Sequence, residues 1–230
     1  MKDGYRLMGF QYEFTGSLYS LGRIPECKVA MLDRLKPGDK LLIAGAGHGT
    51  EAIEAARRGV DVTAVDISRT MLKHMQKKID RARPGKPIRM VNNDILKERY
   101  PGEFDMVMAN YFLNVFPREK MLEILAHLTT FVKPGGFMVI GDFTLPQEGG
   151  RFYKMFQTAY WYTAASFYWL TADNAVHPIY DYPALLKSSG FEIEEIKHFK
   201  ILNMNCHWSI LARKTAEGKS ASGPAEQKSA

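Results

Sequence analysis

Short, unbroken apolar runs alternate along this chain with stretches whose apolar positions recur every three or four residues. The runs predict strands near residues 40–44, 61–65, 88–92, 104–109 and 136–142. The helically spaced stretches predict helices near 49–58, 68–82 and 117–130; in the second of these Met71, Leu72, Met75 and Ile79 form one apolar stripe. A final pair of strands near 191–198 and 206–213 reads as antiparallel. Continuous rather than alternating apolar strands, each succeeded by a helix, imply a mainly parallel sheet covered on both faces. The expected fold is therefore α/β: a doubly wound, seven-stranded sheet with an antiparallel C-terminal pair, binding its ligand at the C-terminal strand ends.

The flanks read differently. Residues 1–36 are expected to form an N-terminal cap, with a short helical or irregular piece over 1–22 and an amphipathic helix over 23–36 stopped by Pro37-Gly38. One domain spans 1–214, and TAEGKSASGPAEQKSA from Thr215 has almost nothing to bury, so 215–230 reads as a disordered tail. Residues 150–180 break the alternation. From Met155 to Ala172 there are 18 residues without a charge, seven of them aromatic. Gln157, Thr158, Thr163, Ser166, Thr171 and three tyrosines make the stretch too polar for a membrane span. On a helix Phe156, Tyr160 and Phe167 share one face while Trp161, Tyr168 and Ala172 share another, so one core contact cannot bury both. The second face calls for a ligand, a membrane surface or a second subunit as in a homodimer, and the segment is expected to be a helical aromatic lid.

Composition narrows the class. With 230 residues, 46% hydrophobic and 24% charged, the chain suits one well-cored domain. Cys27 and Cys206 stand far apart with no Cys/His cluster, which argues against a disulfide framework or a bound metal. MKDGYRLMGFQYEF lacks a continuous apolar stretch, so a cytoplasmic location is expected. The net charge of +6 is concentrated partly at Lys73, Lys77, Lys78, Arg81, Arg83, Lys86 and Arg89. These residues are expected to occupy the solvated face left beside the apolar stripe of that region; no RNA-binding module accompanies them, so nucleic acid is not an expected partner.

The segment LLIAGAGHGTEAIEAARRGVDVTAVDIS, residues 41–68, carries the chemistry. It reads as strand, glycine turn, helix and strand. Such a unit sets backbone N–H groups and a helix N-terminus beside a ligand, and the acid at the second strand's tip, Asp66, can accept both hydroxyls of a ribose. The ligand is expected to be a nucleoside. Thr50 stands where a dinucleotide fingerprint would carry its third glycine, which disfavours a nicotinamide-dependent oxidoreductase.

The glycine loop with Asp66, NNDIL at 92–96, FDMVMANYFLNVF at 104–116 and LTTFVKPGGFMVIGDF at 128–143 together resemble the ordered motifs of class I S-adenosylmethionine-dependent methyltransferases, in particular the ubiquinone and menaquinone methyltransferase-like group. The resemblance implies a Rossmann-like fold, S-adenosylmethionine as cofactor and methyl transfer to a small molecule. It implies cofactor contacts from Gly45, Ala46, Gly47 and Gly49 to the methionine and ribose, and from Asp66 with Ile67 to the ribose. Met71, Asp94 and Ile95 would frame the adenine, although Met71 also belongs to the helical stripe. Asn110 and Tyr111, at the exit of the fourth strand, would meet the methionine end. One position departs: the family usually carries an acid two residues before the first glycine to hold the methionine ammonium, and this chain has Ile43. The same loop also resembles that of the thiopurine and halide methyltransferases, which lack the acid too.

The acceptor side offers fewer signals. Asp142 ends the fifth strand, where it can serve as a base or cap the next loop; His177 lies just past the aromatic segment and Tyr19 belongs to the cap, so these three are the candidate catalytic residues. Tyr12, Trp161 and Tyr168 are the candidate acceptor contacts. His48 is expected to space the glycine loop with its ring turned outward. The expected activity is O-, C- or N-methylation of a small apolar or aromatic acceptor. Its rival is a catalytically silent methyltransferase-like subunit that uses the aromatic helix as an interface, favoured by Ile43.

Overall fold

The computed structural model describes residues 20–144, 150–172, 179–201 and 204–215. Among them run α1 (Arg23–Val29), β1 (Lys40–Ala44), α2 (Thr50–Arg57), β2 (Asp61–Asp66), α3 (Arg69–Ala82), β3 (Ile88–Asn92) and β4 (Phe104–Met108). Further along are α4 (Arg118–Thr129), β5 (Val132–Phe143), α5 (Arg151–Ala172), α6 (Tyr182–Ser188), β6 (Phe191–Ile201) and β7 (Met204–Lys214). The seven strands form one sheet in the order β3-β2-β1-β4-β5-β7-β6. Strands β1 to β5 pair in parallel, while β7 lies antiparallel between β5 and β6.

Strand β1 shows why the strands read as unbroken apolar runs. Leu42 and Ala44 belong to the core on one face, with Leu125 and Leu128 of α4 and Tyr182 and Leu186 of α6. Leu41 and Ile43 belong to the core on the other, with Ala52, Ala55 and Ala56 of α2 and Leu72 and Met75 of α3. Successive side chains thus enter opposite apolar layers, as a doubly covered sheet requires. The stripe of α3 is buried as expected at Met71, Leu72 and Met75, and its N-terminus is capped by Ser68 Oγ, which accepts from Met71 N at 3.2 Å.

Three elements depart from expectation. Helix α1 ends at Val29 instead of 36, because two carbonyls that would continue it are taken by side chains. Asn110 Nδ2 donates to Lys28 O at 3.1 Å and Lys197 Nζ donates to Ala30 O at 2.9 Å. A 3₁₀ turn over Leu32–Arg34 then carries Met31 and Leu32 into the core. Strand β5 begins at Val132, ahead of Pro134-Gly135-Gly136, and those residues bulge out of the ladder: the register passes from Phe104↔Val132 to Met106↔Phe137. Helix α6, capped by Asp181, has no counterpart among the expected elements.

Helix α5 places Tyr153 and Tyr160 against Ile201, Met204 and Cys206 of the β6–β7 hairpin, with Gln157 donating to Asn205 O. The packed stripe is therefore Tyr153, Gln157 and Tyr160, whereas Phe156, expected beside Tyr160, is exposed together with Phe152 and Met155. No helix among the described residues is long and apolar enough to cross a membrane. The expected tail, apart from Thr215, and most of the expected cap, residues 1–19, lie outside the described residues.

Met75, fully buried, ties α3 to the glycine loop: a Cβ at Gly49 would stand 2.6 Å from its Cγ. Met75→Ala is expected to cost about 2–4 kcal/mol in urea denaturation, since the loop backbone above it cannot collapse into the cavity. A cost well under about 1 kcal/mol would show that the loop is held elsewhere.

Candidate active site

Between β1 and β4 the chain departs in opposite directions, β1 towards β2 and β4 towards β5, so a crevice opens at the C-terminal ends of these two neighbours. The glycine loop crosses it. Gly45 N and Ala46 N donate to Val65 O at 2.9 and 3.2 Å, which draws the loop onto the tip of β2. Gly47 N donates to Asp66 Oδ2 at 2.7 Å and Ser68 N to Asp66 Oδ1 at 2.8 Å. A carboxylate offers about four lone-pair sites, a chemistry that suits vicinal hydroxyls as well as amides. Gly45 has φ 67° and a Cβ there would stand 2.2 Å from the Phe112 ring. Gly47 has φ 53° and nothing within 4 Å of its Cβ direction among the described residues, so one face of the loop is open to a ligand. Helix α2 starts at Thr50 directly beyond.

Beside Asp66, Ile67 is an exposed apolar residue, 41% accessible, where an adenine would find a hydrophobic surface. Asn92 Nδ2 donates to Asp66 O and Ile67 O, both at 3.0 Å, and fixes their direction. Asp94 accepts from Leu96 N at 3.1 Å as a turn cap, while Ile95 is committed to the core. Met71 and Ala46 are buried as well. His48 corrects one expectation: its ring is not turned outward but is buried against His74, with centroids 5.4 Å apart.

The other half of the rim comes from β4, β5 and β7. Asn110, buried, donates to Lys28 O through Nδ2, and its Oδ1 has no hydrogen-bond partner among the described residues. Tyr111 holds φ 51°, an unusual conformation for a bulky residue and one that marks a constrained turn. Its ring meets Phe143 and His207 edge-on at 5.9 and 5.7 Å, and Phe143 lies 5.0 Å from His207. Burial pushes the Tyr111 hydroxyl well above its usual acidity range, and Tyr160 of α5 is near enough to add to the effect.

Asp142 is 2% exposed; Tyr182 Oη donates to its Oδ2 at 2.6 Å and Phe143 N to its Oδ1 at 2.7 Å. Burial raises its carboxyl to about 7, against the opposing pull of the hydrogen bonds from Tyr182, Phe143 and Asn114. His207 is fully buried with neither ring nitrogen hydrogen-bonded among the described residues, and burial lowers it to about 3, so the ring is neutral. The end of β5 thus carries a carboxyl poised near neutrality at Asp142 and, from the next residue on the other face of the sheet, the aromatic wall of Phe143.

Gly45, Ala46, Gly47 and Gly49 follow the end of β1, Asp66 and Ile67 the end of β2, Asn110 and Tyr111 the end of β4, and Asp142 lies near the end of β5, all at the C-terminal edge of the sheet. Tyr12, Tyr19 and His177 lie outside the described residues, and Trp161 and Tyr168 fall on α5 in a part whose side chains are not described. Phe143, Tyr182, His207 and Glu51 join the candidates from the structure alone; only the Phe143↔His207 pairing across the β5–β7 register brings the histidine there. A separate groove of about 590 Å³ lies between α1, α2 and α3, lined by Pro25, Val29, Ile53 and Lys78 among others, on the outer helical layer.

Comparison with known proteins matches the pattern of a methyltransferase domain over residues 41–136. A demethylmenaquinone methyltransferase of Beutenbergia cavernae is 32% identical over 140 residues, which cover 59% of this chain and 55% of that protein. The chain thus spans about half the length of the curated relatives it matches. Among solved structures, magnesium protoporphyrin IX methyltransferase from Synechocystis PCC 6803 with bound S-adenosylmethionine gives a TM-score of 0.63 at 18% identity, covering 89% of this chain and 83% of that one. The 1,6-didemethyltoxoflavin-N1-methyltransferase of Burkholderia thailandensis, with 1,6-didemethyltoxoflavin and S-adenosylhomocysteine bound, gives 0.63 at 18% identity, covering 94% and 91%.

Asp142 and His207 make opposite, testable contributions to stability. A carboxyl raised from 3.8 to about 7 favours the folded state at low pH, and that contribution is lost as pH rises from about 4 to 7. A histidine lowered from 6.5 to about 3 favours the folded state above pH 6.5, and that contribution is lost as pH falls towards 3. The two oppose each other in the parent. Asp142→Asn is therefore expected to gain stability at pH 8, on the order of 1–3 kcal/mol by urea titration, and to lose that advantage at pH 4. An equal effect at both pH values would show that Asp142 keeps its ordinary acidity.

Proposed function

We propose that this chain, whose residues 41–136 match a methyltransferase domain, is a class I S-adenosylmethionine-dependent methyltransferase that transfers the cofactor's methyl group to a small aromatic or apolar acceptor. The acceptor would lie between the Tyr111–Phe143–His207 wall and α5, which acts as a lid. The observation that carries this reading is continuity: the open face of Gly47 and the wall of Tyr111 belong to neighbouring loops at the ends of β1 and β4.

The residues present fit the cofactor. Gly47 would admit it by close backbone approach, Asp66 would hold the ribose hydroxyls, and Ile67 with Asp94 would border the adenine. Bound there, S-adenosylmethionine supplies a methyl group already activated on sulfur, so alignment, water exclusion and proton removal are left to the protein. Tyr111, Phe143 and His207 would align a flat acceptor through their ring faces and edges. Tyr160, which lines the packed side of α5, would exclude water from above. Asp142 would take the proton of a hydroxyl or carbon acid, helped by an acidity near neutral pH. This favours O- or C-methylation over N-methylation, and the relatives named demethylmenaquinone methyltransferases support a quinone-derived aromatic acceptor. A reducing cytoplasm suits the free, buried Cys27 and Cys206.

Single-turnover methyl transfer with isotopically labelled cofactor, run on a panel of quinols, phenols and arylamines, tests the reading. Transfer is expected to quinols or phenols. Asp142→Asn should slow the chemical step about a hundredfold and abolish the acid limb of its pH profile. Tyr160→Ala should raise the acceptor KM and leave affinity for S-adenosylhomocysteine intact. Label appearing in no acceptor, or rates within a few-fold of the parent in Asp142→Asn, would contradict the assignment.

A further inference from the structure

Ile43 stands where methyltransferases of this class usually place the acid that holds the cofactor's ammonium, and its side chain, 1% exposed, is packed with Leu41 and Met108. We propose that Glu51 and Lys28 together read the amino-acid end of the cofactor, Glu51 taking the ammonium and Lys28 the carboxylate. The inference rests on the methyltransferase reading above and names the residues that replace the missing acid.

Glu51 lies in the first turn of α2, two residues past Gly49, and is fully buried. Neither of its carboxylate oxygens has a hydrogen-bond partner among the described residues. A cation does stand beside it: Lys28 Nζ is 3.5 Å from Oε1, a charge contact longer than a good N–H···O bond. A buried carboxylate without hydrogen bonds is costly to fold, and proteins keep such groups where a ligand completes them. Its neighbours place it on the rim rather than deep in the core. Lys28 is held by its own carbonyl to Asn110 Nδ2, and Asn110 lies just past the β4 end. Lys28, Glu51 and Asp142 all act on the thiol of Cys27, so the pair and the acceptor edge share one region.

The chemistry of the set suits a zwitterion. The two oxygens of Glu51 and the Oδ1 of Asn110 offer acceptors in excess of the donors that the described residues supply. An ammonium brings three N–H donors, and a carboxylate would meet the cation of Lys28. The Lys28–Glu51 pair is thus charge-complementary to an α-amino acid, whose ammonium and carboxylate can insert into a contact the protein leaves slack.

Calorimetric titration of the full chain with S-adenosylhomocysteine and with 5′-methylthioadenosine, which has the nucleoside and thioether but no amino-acid group, separates this role from a structural ion pair between α1 and α2. The parent should bind S-adenosylhomocysteine more tightly. Glu51→Gln should weaken S-adenosylhomocysteine about tenfold or more while changing 5′-methylthioadenosine by less than about twofold, and Lys28→Met should show the same selectivity. Loss of both ligands in parallel, or of neither, would overturn the proposal. Should Glu51→Gln fail to fold, Lys28→Met decides alone: unaltered preference for S-adenosylhomocysteine in that variant refutes the zwitterion contact. If the parent binds neither nucleoside, the methyltransferase reading itself fails and takes this inference with it.

Discussion

The carboxylate of Asp66 joins three elements that otherwise meet only at their ends. By accepting from Gly47 N and Ser68 N it fastens the glycine loop to the tip of β2 and sets the start of α3. The loop's left-handed turns are tolerated because this carboxylate and the carbonyl of Val65 receive its amides. With the loop fixed, α2 begins at the crevice, Met75 can pack beneath Gly49, and the direction of Gly47 stays open. The cofactor end of the site is thus organised by hydrogen bonds and packing within the protein.

The acceptor end is organised by burial. Strand β7 enters the sheet antiparallel between β5 and β6, so its first residues lie beside the last residues of β5, and His207 comes to face Phe143 and Tyr111. Asp142, one residue before Phe143, turns to the opposite face of the sheet, where Tyr182 is its donor. Two groups of opposite charge type are both held near neutrality, the carboxyl raised and the imidazole lowered, for the same reason: burial keeps water from their charged forms. In the proposed function a dry wall of this kind would exclude water from a reacting methyl group, and Asp142 would be the base, ionisable around neutral pH. Fold alone would not establish such a role, since solved structures of this shape share under a fifth of their residues with the chain.

Features that depend on neighbours in sequence were legible, and those that depend on tertiary contacts were not. The first four strands, α3 and the place of Asp66 at the tip of β2 emerge from apolar periodicity and glycine spacing, because each is settled within about twenty residues. Helix α1 misleads because its last turns lose their carbonyls to Asn110 and Lys197, residues far along the chain. The Pro134-Gly135-Gly136 turn is visible, yet Val132 joins the ladder before it, which only the register reveals. His207 and Tyr182 carry no sequence signal, since strand pairing and the docking of α6 bring them to the rim. Glu51 lies inside the most informative motif and looks like an ordinary helix-start acid; only its complete burial distinguishes it.

The central claim is that the crevice organised by Asp66 is a nucleoside site for S-adenosylmethionine, and its most direct test is the dissociation constant of S-adenosylhomocysteine for the parent and for Asp66→Ala, with NAD as control. The parent should bind S-adenosylhomocysteine and not NAD, and Asp66→Ala should weaken binding by about 1.5–3 kcal/mol, the range for hydrogen bonds to a charged group. Preference for NAD, or an affinity for S-adenosylhomocysteine that Asp66→Ala leaves unchanged, would contradict it.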